Sequence, residues 1–283
     1  MSNFADPSKK EHPSTYFVQD RQNEHELARL TVQDRMITSL MGGVLPEQDN
    51  TSRFRRILDV GSGSGSWAIE TAQAYPAATV FGIDISQRMV HHAREQAVLQ
   101  QVDERVEFHA MDALRMLEFP HNYFDLVNLR FGVSFMRTWD WPKLLGEMRR
   151  VTRPEGVVRL TDNEIVHESN SPSLTRFFEA IRRAMFRAGH LFEEENTGLT
   201  GHLADLLTRS GCEQIQTKAY ALEFQGGTEN AQAYYEDAAH AGRTLRPFME
   251  KWGCLPADYD AIYQQALTDI QQSQFHNTWR VLT

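Results

Sequence analysis

Cysteine is scarce in this chain. Cys212 and Cys254 are its two cysteines in 283 residues, and they stand too far apart to frame a disulfide scaffold. No CxxC pair and no HExxH string occurs, so a structural or catalytic zinc site is not expected and no metal ligands are assigned. That cysteine usage fits a reducing cytoplasm. Long apolar runs are missing as well: nothing approaches the roughly eighteen residues of a membrane span. The opening 1–10 stretch is polar and lacks the apolar core of a signal peptide. Basic charge is in deficit, with a formal net charge of −9, which disfavours non-specific nucleic-acid binding. The arginine pairs Arg55-Arg56, Arg149-Arg150 and Arg182-Arg183 read as solvated faces at the edges of elements. Internal repeats and low-complexity tracts are absent, and the sequence does not indicate an oligomeric state.

What is present is globular. The chain is 41% hydrophobic and 24% charged, proportions that suit one large domain or two small ones. Its organising stretch is Arg56-Ile57-Leu58-Asp59-Val60-Gly61-Ser62-Gly63-Ser64-Gly65-Ser66-Trp67-Ala68-Ile69. Ile57, Leu58 and Val60 form an apolar run that stops at glycine, the pattern of a short buried strand. Trp67, Ala68, Ile69 and Ala72 then repeat with helical spacing. A glycine turn between strand and helix lets backbone approach a ligand closely, with free N–H groups at the helix start.

Three further strands follow, each ending in polar residues. The run 79–85 closes on Asp84 and Ile85, 106–110 is followed by Met111, Asp112 and Ala113, and 124–129 leads through Asn128 to Arg130. Strand ends are where a doubly wound sheet binds ligands, and an acidic residue at the second strand tip suits a ribose diol.

The series Asp59-x-Gly61-x-Gly63-x-Gly65, then Asp84, then Asp112, resembles the class I S-adenosylmethionine (SAM) dependent methyltransferases. The wording around 119–127 and 144–156 is closest to their ubiquinone-biosynthesis-like small-molecule branch, and the similarity covers 55–162. It implies an α/β fold: a doubly wound, mostly parallel seven-stranded sheet, Rossmann-like, with the last strand (275–282) inserted antiparallel beside the fifth. It also implies SAM as cofactor, S-adenosylhomocysteine as product, and a small-molecule partner. On that basis Gly61, Ser62 and Gly63 approach the methionine part and Asp59 orients its ammonium. Asp84 with Ile85 takes the ribose, and Asp112 with Ala113 meets the adenine amino group. Asn128 and Arg130 open toward the methyl group, Arg130 holding a carboxylate or a substrate anion. Glu155 departs from the family by standing where many relatives have glycine. Pro154 and Gly156 around it still suit a type I turn before the fifth strand, 157–161.

The flanks read as additions to that sheet. Residues 1–14 are a polar tail, and 16–45 hold the Tyr16-Phe17-Val18 patch and a helix through Leu27, Leu30, Met36, Ile37 and Leu40. That helix either caps the sheet or brings Tyr16, Arg29 and Gln33 to the cofactor. A helix over 173–189 places Leu174, Phe177, Phe178, Ile181 and Met185 on one face, as core or as substrate box. Another helix spans 201–210, and 215–224 alternates as a sixth strand. Between it and the last strand lie about fifty residues of helical period, with stripes Tyr234/Ala238/Ala241/Leu245/Phe248 and Ile262/Ala266/Ile270. The organisation expected is therefore a tail and helical cap at 1–50 and a SAM-binding domain at 51–283, with helical lid insertions at about 165–200 and 226–273. The lid's aromatic content suits an apolar or aromatic acceptor.

No general base stands out. Glu164, His167, His202 and His240 fall in segments able to line a pocket, and each equally suits surface or core. Two other functions compete with methyl transfer. One is a SAM-binding regulator, or a catalyst that does not methylate. The other is an NAD-dependent oxidoreductase, whose G-x-G-x-x-G pattern would put Ser66 at the third glycine and leave Asp112 without a role.

Overall fold

In the computed structural model the described residues are Tyr16 and 24–283; the polar tail, with Phe17 and Val18, lies outside them. The chain enters through helix α1 (Glu24–Met41) and then alternates. Strand β1 (Arg56–Val60) leads to α2 (Ser66–Ala74), β2 (Thr79–Asp84), α3 (Gln87–Leu99), β3 (Val106–Ala110), β4 (Phe124–Arg130), α4 (Trp141–Val151) and β5 (Thr152–Asn163). Beyond these come β6 (Glu168–Ser169), α5 (Pro172–Arg187), α6 (Leu203–Arg209), β7 (Ala219–Gln225), α7 (Glu229–Thr244), α8 (Arg246–Lys251), α9 (Tyr259–Ile270) and β8 (His276–Leu282).

The sheet runs β3-β2-β1-β4-β5-β8, with β7 on the far flank of β8. β1 to β5 are parallel; β8 is antiparallel to β5, β6 and β7. The doubly wound sheet and its inserted last strand are as expected. The two-residue β6, paired with Asn277 and Thr278, adds a short eighth strand.

Both faces of β1 are buried, which is why its sequence is a nearly continuous apolar run. Ile57 packs with Trp67, Ala68, Val90 and Ala93 on the α2/α3 side, while Leu58 and Val60 meet the core that includes Trp141, Leu144 and Met148 of α4. Full burial of such side chains stabilises by about 1.5–3 kcal/mol each. The helical stripes behave likewise: Tyr234, Ala238, Ala241, Leu245, Phe248, Ile262, Ala266 and Ile270 are all buried. Among the described residues no helix is long and apolar enough to cross a membrane.

Three local expectations are corrected. The sixth strand begins at Ala219 and not at 215. Arg150 is no solvated face: its guanidinium donates to the carbonyls of Phe119 (2.9 Å) and Leu117 (2.8 Å) and pairs with Glu147 (2.7 Å), pinning that loop to α4. The turn into β5 is not type I, because Glu155 has φ +64° and a type I turn has negative φ at both central residues. The β4–β5 register shifts across this segment, from Phe124↔Thr152 to Leu126↔Val157.

A non-glycine residue in the left-handed region costs about 1–2 kcal/mol. Glu155→Gly is therefore expected to raise the thermal midpoint by about 2–4 °C, for about 1 kcal/mol of stabilisation. Thermal unfolding of the two proteins side by side checks this, and an unchanged or lower midpoint contradicts it.

Candidate functional site

The turn after β1 is tied to the tip of β2. Ser62 N–H donates to the Ile83 carbonyl (2.9 Å) and Gly63 N–H to Asp84 Oδ2 (3.0 Å). The other Asp84 oxygen accepts Ser86 N–H at 2.8 Å. Gly61 and Gly63 have φ of +69° and +52°. A Cβ at Gly61 would come within 2.9 Å of the Phe135 ring, whereas one at Gly63 would meet none of the described residues within 4 Å. The loop thus leaves open space beside its backbone at Gly63. Gly65 is a packing position: a Cβ there would lie 2.6 Å from that of Ala93. At the end of β3, Asp112 accepts Leu114 N–H (2.9 Å) and faces Arg115 (3.4 Å).

Behind the loop, three neighbouring strands place polar side chains in register: Asp59 opposite Asn128, and Asn128 opposite Arg159. Asn128 Nδ2 donates to Asp59 Oδ1 (2.8 Å), Arg159 Nη1 donates to Asn128 Oδ1 (2.9 Å), and Arg159 Nε donates to Glu47 (2.7 Å). All three strand residues are buried. Burial pushes the Asp59 carboxyl up to about 7 against the pull of Asn128. Arg130, at the end of β4, is half engaged. Its Nη1 donates to Thr38 (2.9 Å) and pairs with Asp34 (3.0 Å), both on α1, while Nε and Nη2 find no partner among the described residues.

These groups share one cavity of about 290 Å³. Asp59, Gly61, Ser62, Gly63, Asp84, Ile85, Asp112, Ala113 and Arg130 line its strand-end side. Tyr16, Arg29, Gln33 and Asp34 close it from one side, and Phe178, Ile181 and Met185 of α5, Asp237 and Ala241 of α7, and Trp279 of β8 close it from another. The α5 stripe therefore divides: Leu174 and Phe177 are core, and Phe178, Ile181 and Met185 face the cavity. α1 and α7 meet through a buried cluster in which Asp237 accepts from Arg29 (3.1 Å) and Gln33 (3.0 Å).

Of the residues predicted from sequence, Asn128 does not line the cavity; both ends of its amide are spent on Asp59 and Arg159. Among the base candidates only His167 is on the wall. Glu164 turns away to accept from Asn196 (2.7 Å), and His202 lies against Glu193 (3.5 Å) and the Phe192 ring. His240 is also off the lining, which α7 supplies through Asp237 and Ala241. Asp34, Asp237 and Trp279 escaped the sequence reading. The available signal was on α1, where Arg29, Gln33, Asp34 and Thr38 fall on the same helical arc as the buried Ile37 and Met41. Among the described residues no group of three or more His, Cys, Asp or Glu is placed to hold a metal ion.

Comparison with known proteins points one way. Residues 57–156 match the family described as "Methyltransferase domain". The chain is 38% identical over 133 residues to a demethylmenaquinone methyltransferase of Deinococcus radiodurans, covering 47% of this chain and 50% of that protein. It is 32% identical over 190 residues to the enzyme of that name from a Geobacillus species, covering 61% and 77%. The chain thus spans about half the length of several curated relatives that it matches. In fold it is similar to a SAM-dependent methyltransferase from Aquifex aeolicus, with TM-score 0.51, 18% identity, and coverage of 69% of this chain and 91% of that one.

Asp162, buried at the end of β5, resembles Asp59 in its titration. Burial raises it to about 7 although it accepts backbone N–H groups of Val133 and Asn163. A carboxyl whose folded pKa exceeds its unfolded value keeps a proton that the unfolded chain has lost. The stability this provides is complete below about pH 4 and disappears as pH climbs through about 7. The thermal midpoint should accordingly fall from pH 5 to pH 8, and Asp162→Asn should make that decline shallower. Midpoints of both proteins across this range decide it; equal slopes would rule out Asp162 as a contributor.

Proposed function

We propose that this chain, which belongs to the class I SAM-dependent methyltransferases, transfers a methyl group from SAM to a small apolar or aromatic acceptor. One observation carries the reading: a single cavity joins the strand-end loop, with Asp84 and Asp112, to an aromatic-walled chamber beneath α5 and α7. SAM supplies an electrophilic methyl on a sulfonium. The protein's share of the work is to position the partners in line and keep water out.

Asp84, held at the tip of β2 by backbone N–H groups, would take the ribose diol as two charge-assisted hydrogen bonds. Asp112 with Ala113 would meet the adenine amino group. Asp59, backed by Asn128, would face the ammonium, and the unused Nε and Nη2 of Arg130 suit a carboxylate. The open space at Gly63 leaves room for the backbone to approach. Phe178, Ile181, Met185 and Trp279 supply a dry wall for the acceptor. Helix α1 and the insertions at about 165–200 and 226–273 act in this reading as a lid.

The first test is a thermal-shift and calorimetric screen with SAM, S-adenosylhomocysteine and NADH. The adenosyl ligands are expected to stabilise, by about 2.7 kcal/mol at a hundred times the dissociation constant, and NADH to have no effect. Absence of binding by either adenosyl ligand would refute the assignment. Asp84→Ala should weaken SAM binding by roughly tenfold or more, the equivalent of about 1.4 kcal/mol. An unchanged affinity in calorimetry would remove the ribose role from Asp84.

A further inference from the structure

With methyl transfer taken as the reaction of this site, we propose that His167 is a hydrogen-bond donor to an oxygen atom on a flat acceptor ring, held in that role by Tyr234. His167 is buried and lines the cavity. Its Nδ1 lies 2.6 Å from the Tyr234 hydroxyl, with the Asn277 amide nitrogen 3.5 Å away on the same edge. A phenol O–H is a stronger acid than a neutral imidazole N–H, and imidazole nitrogen is a better acceptor than phenol oxygen. Tyr234 therefore donates, Nδ1 accepts, and the ring proton resides on Nε2.

Two aromatic rings pack against the imidazole. Phe178 lies at 4.2 Å between centroids and 31° between planes, and Trp279 at 4.7 Å and 28°. His167 lines the cavity and its Nδ1 is engaged by Tyr234, so the ring nitrogen left for a ligand is Nε2 bearing its proton. The titratable group against it is Tyr234 of α7, whose hydroxyl burial holds well above the phenol range and which feels the nearby Asp237 carboxylate. Burial alone holds the imidazole down at about 3, so no cation forms at working pH. A neutral ring with its proton on Nε2 cannot take a second proton from the acceptor at that atom, and it acts as a fixed donor and not as a base. Beside the apolar side chains of Ile181 and Met185, it selects a planar, largely apolar ring carrying a carbonyl or hydroxyl oxygen. Tyr234 is the positioning residue, since it decides which nitrogen keeps the proton.

Two measurements test this. A long-range ¹⁵N spectrum of the histidine rings, assigned by difference with His167→Gln, should show His167 protonated at Nε2 and bare at Nδ1. Tyr234→Phe should give a mixture of both forms; a proton on Nδ1 in the unaltered protein overturns the proposal. The second is affinity for 1-naphthol and for naphthalene, measured by fluorescence with S-adenosylhomocysteine present. The unaltered protein should prefer 1-naphthol by roughly tenfold or more. His167→Phe should bring the two affinities together while keeping the bare ring, and His167→Gln, which retains an N–H, should restore part of the preference. No preference in the unaltered protein, or one that survives His167→Phe, counts against His167 as the donor. Failure of the unaltered protein to bind S-adenosylhomocysteine would strike the methyl-transfer reading instead, and the ring-nitrogen result is independent of it.

Discussion

The row Asp59–Asn128–Arg159–Glu47 is the constraint on which the remainder depends. Removing charges from water costs several kcal/mol per ion, and that cost is offset only when each group is hydrogen-bonded in good geometry. Here Asp59, Asn128 and Arg159 lie on three adjacent strands at one register, with Glu47 reaching Arg159 from the turn after α1, so the sheet pairing itself supplies most of the geometry. A slip of one residue in β4 would turn Asn128 to the opposite face and leave Asp59 and Arg159 buried without their bridge. The register that suits the apolar residues Ile57 and Leu126 on this face is thus also the one that satisfies the charges. With the row in place, the end of β1, the glycine turn and the start of α2 have fixed positions.

A division of labour follows along the chain. The strand-end wall comes from 59–130 and is built on the parallel sheet. The opposite walls come from α1, α5, α7 and β8, which bring aromatic rings and the Arg29–Asp237 pair. The first wall is shaped by hydrogen bonds to backbone and the second by side-chain packing. Side chains on the second wall are accordingly free to vary without disturbing Asp84 or the glycine turn.

Much of the first wall was legible in the sequence because it is local. Asp59 lies near the end of β1, Asp84 closes β2 and Asp112 stands two residues past β3, so each is marked by its place at a strand end in one ordered series. Asn128 was found by the same rule, but its role depends on Arg159 across β5, and register between strands is not written in either strand. The second wall was harder to read. Asp34 and Asp237 sit on helices, where polar residues ordinarily face solvent, and only the packing of α1 on α7 encloses them. His167 was one of four comparable candidates until the fold set it on the cavity wall beside Phe178 and Trp279. At Glu155 the sequence showed the departure from glycine, while the left-handed backbone behind it came only from three dimensions.

The pairing of Arg29 and Gln33 with Asp237 joins residues 208 and 204 positions apart. Contacts at such separation close only after the intervening chain has lost most of its freedom, whereas β1, β2 and their helices can pair within a few dozen residues. The parallel sheet therefore has the means to assemble early, and the enclosed chamber is among the last features to exist. Denaturant or heat should retrace that order, opening the chamber while the sheet beneath it still stands, so that the capacity to enclose an acceptor is lost before the fold itself.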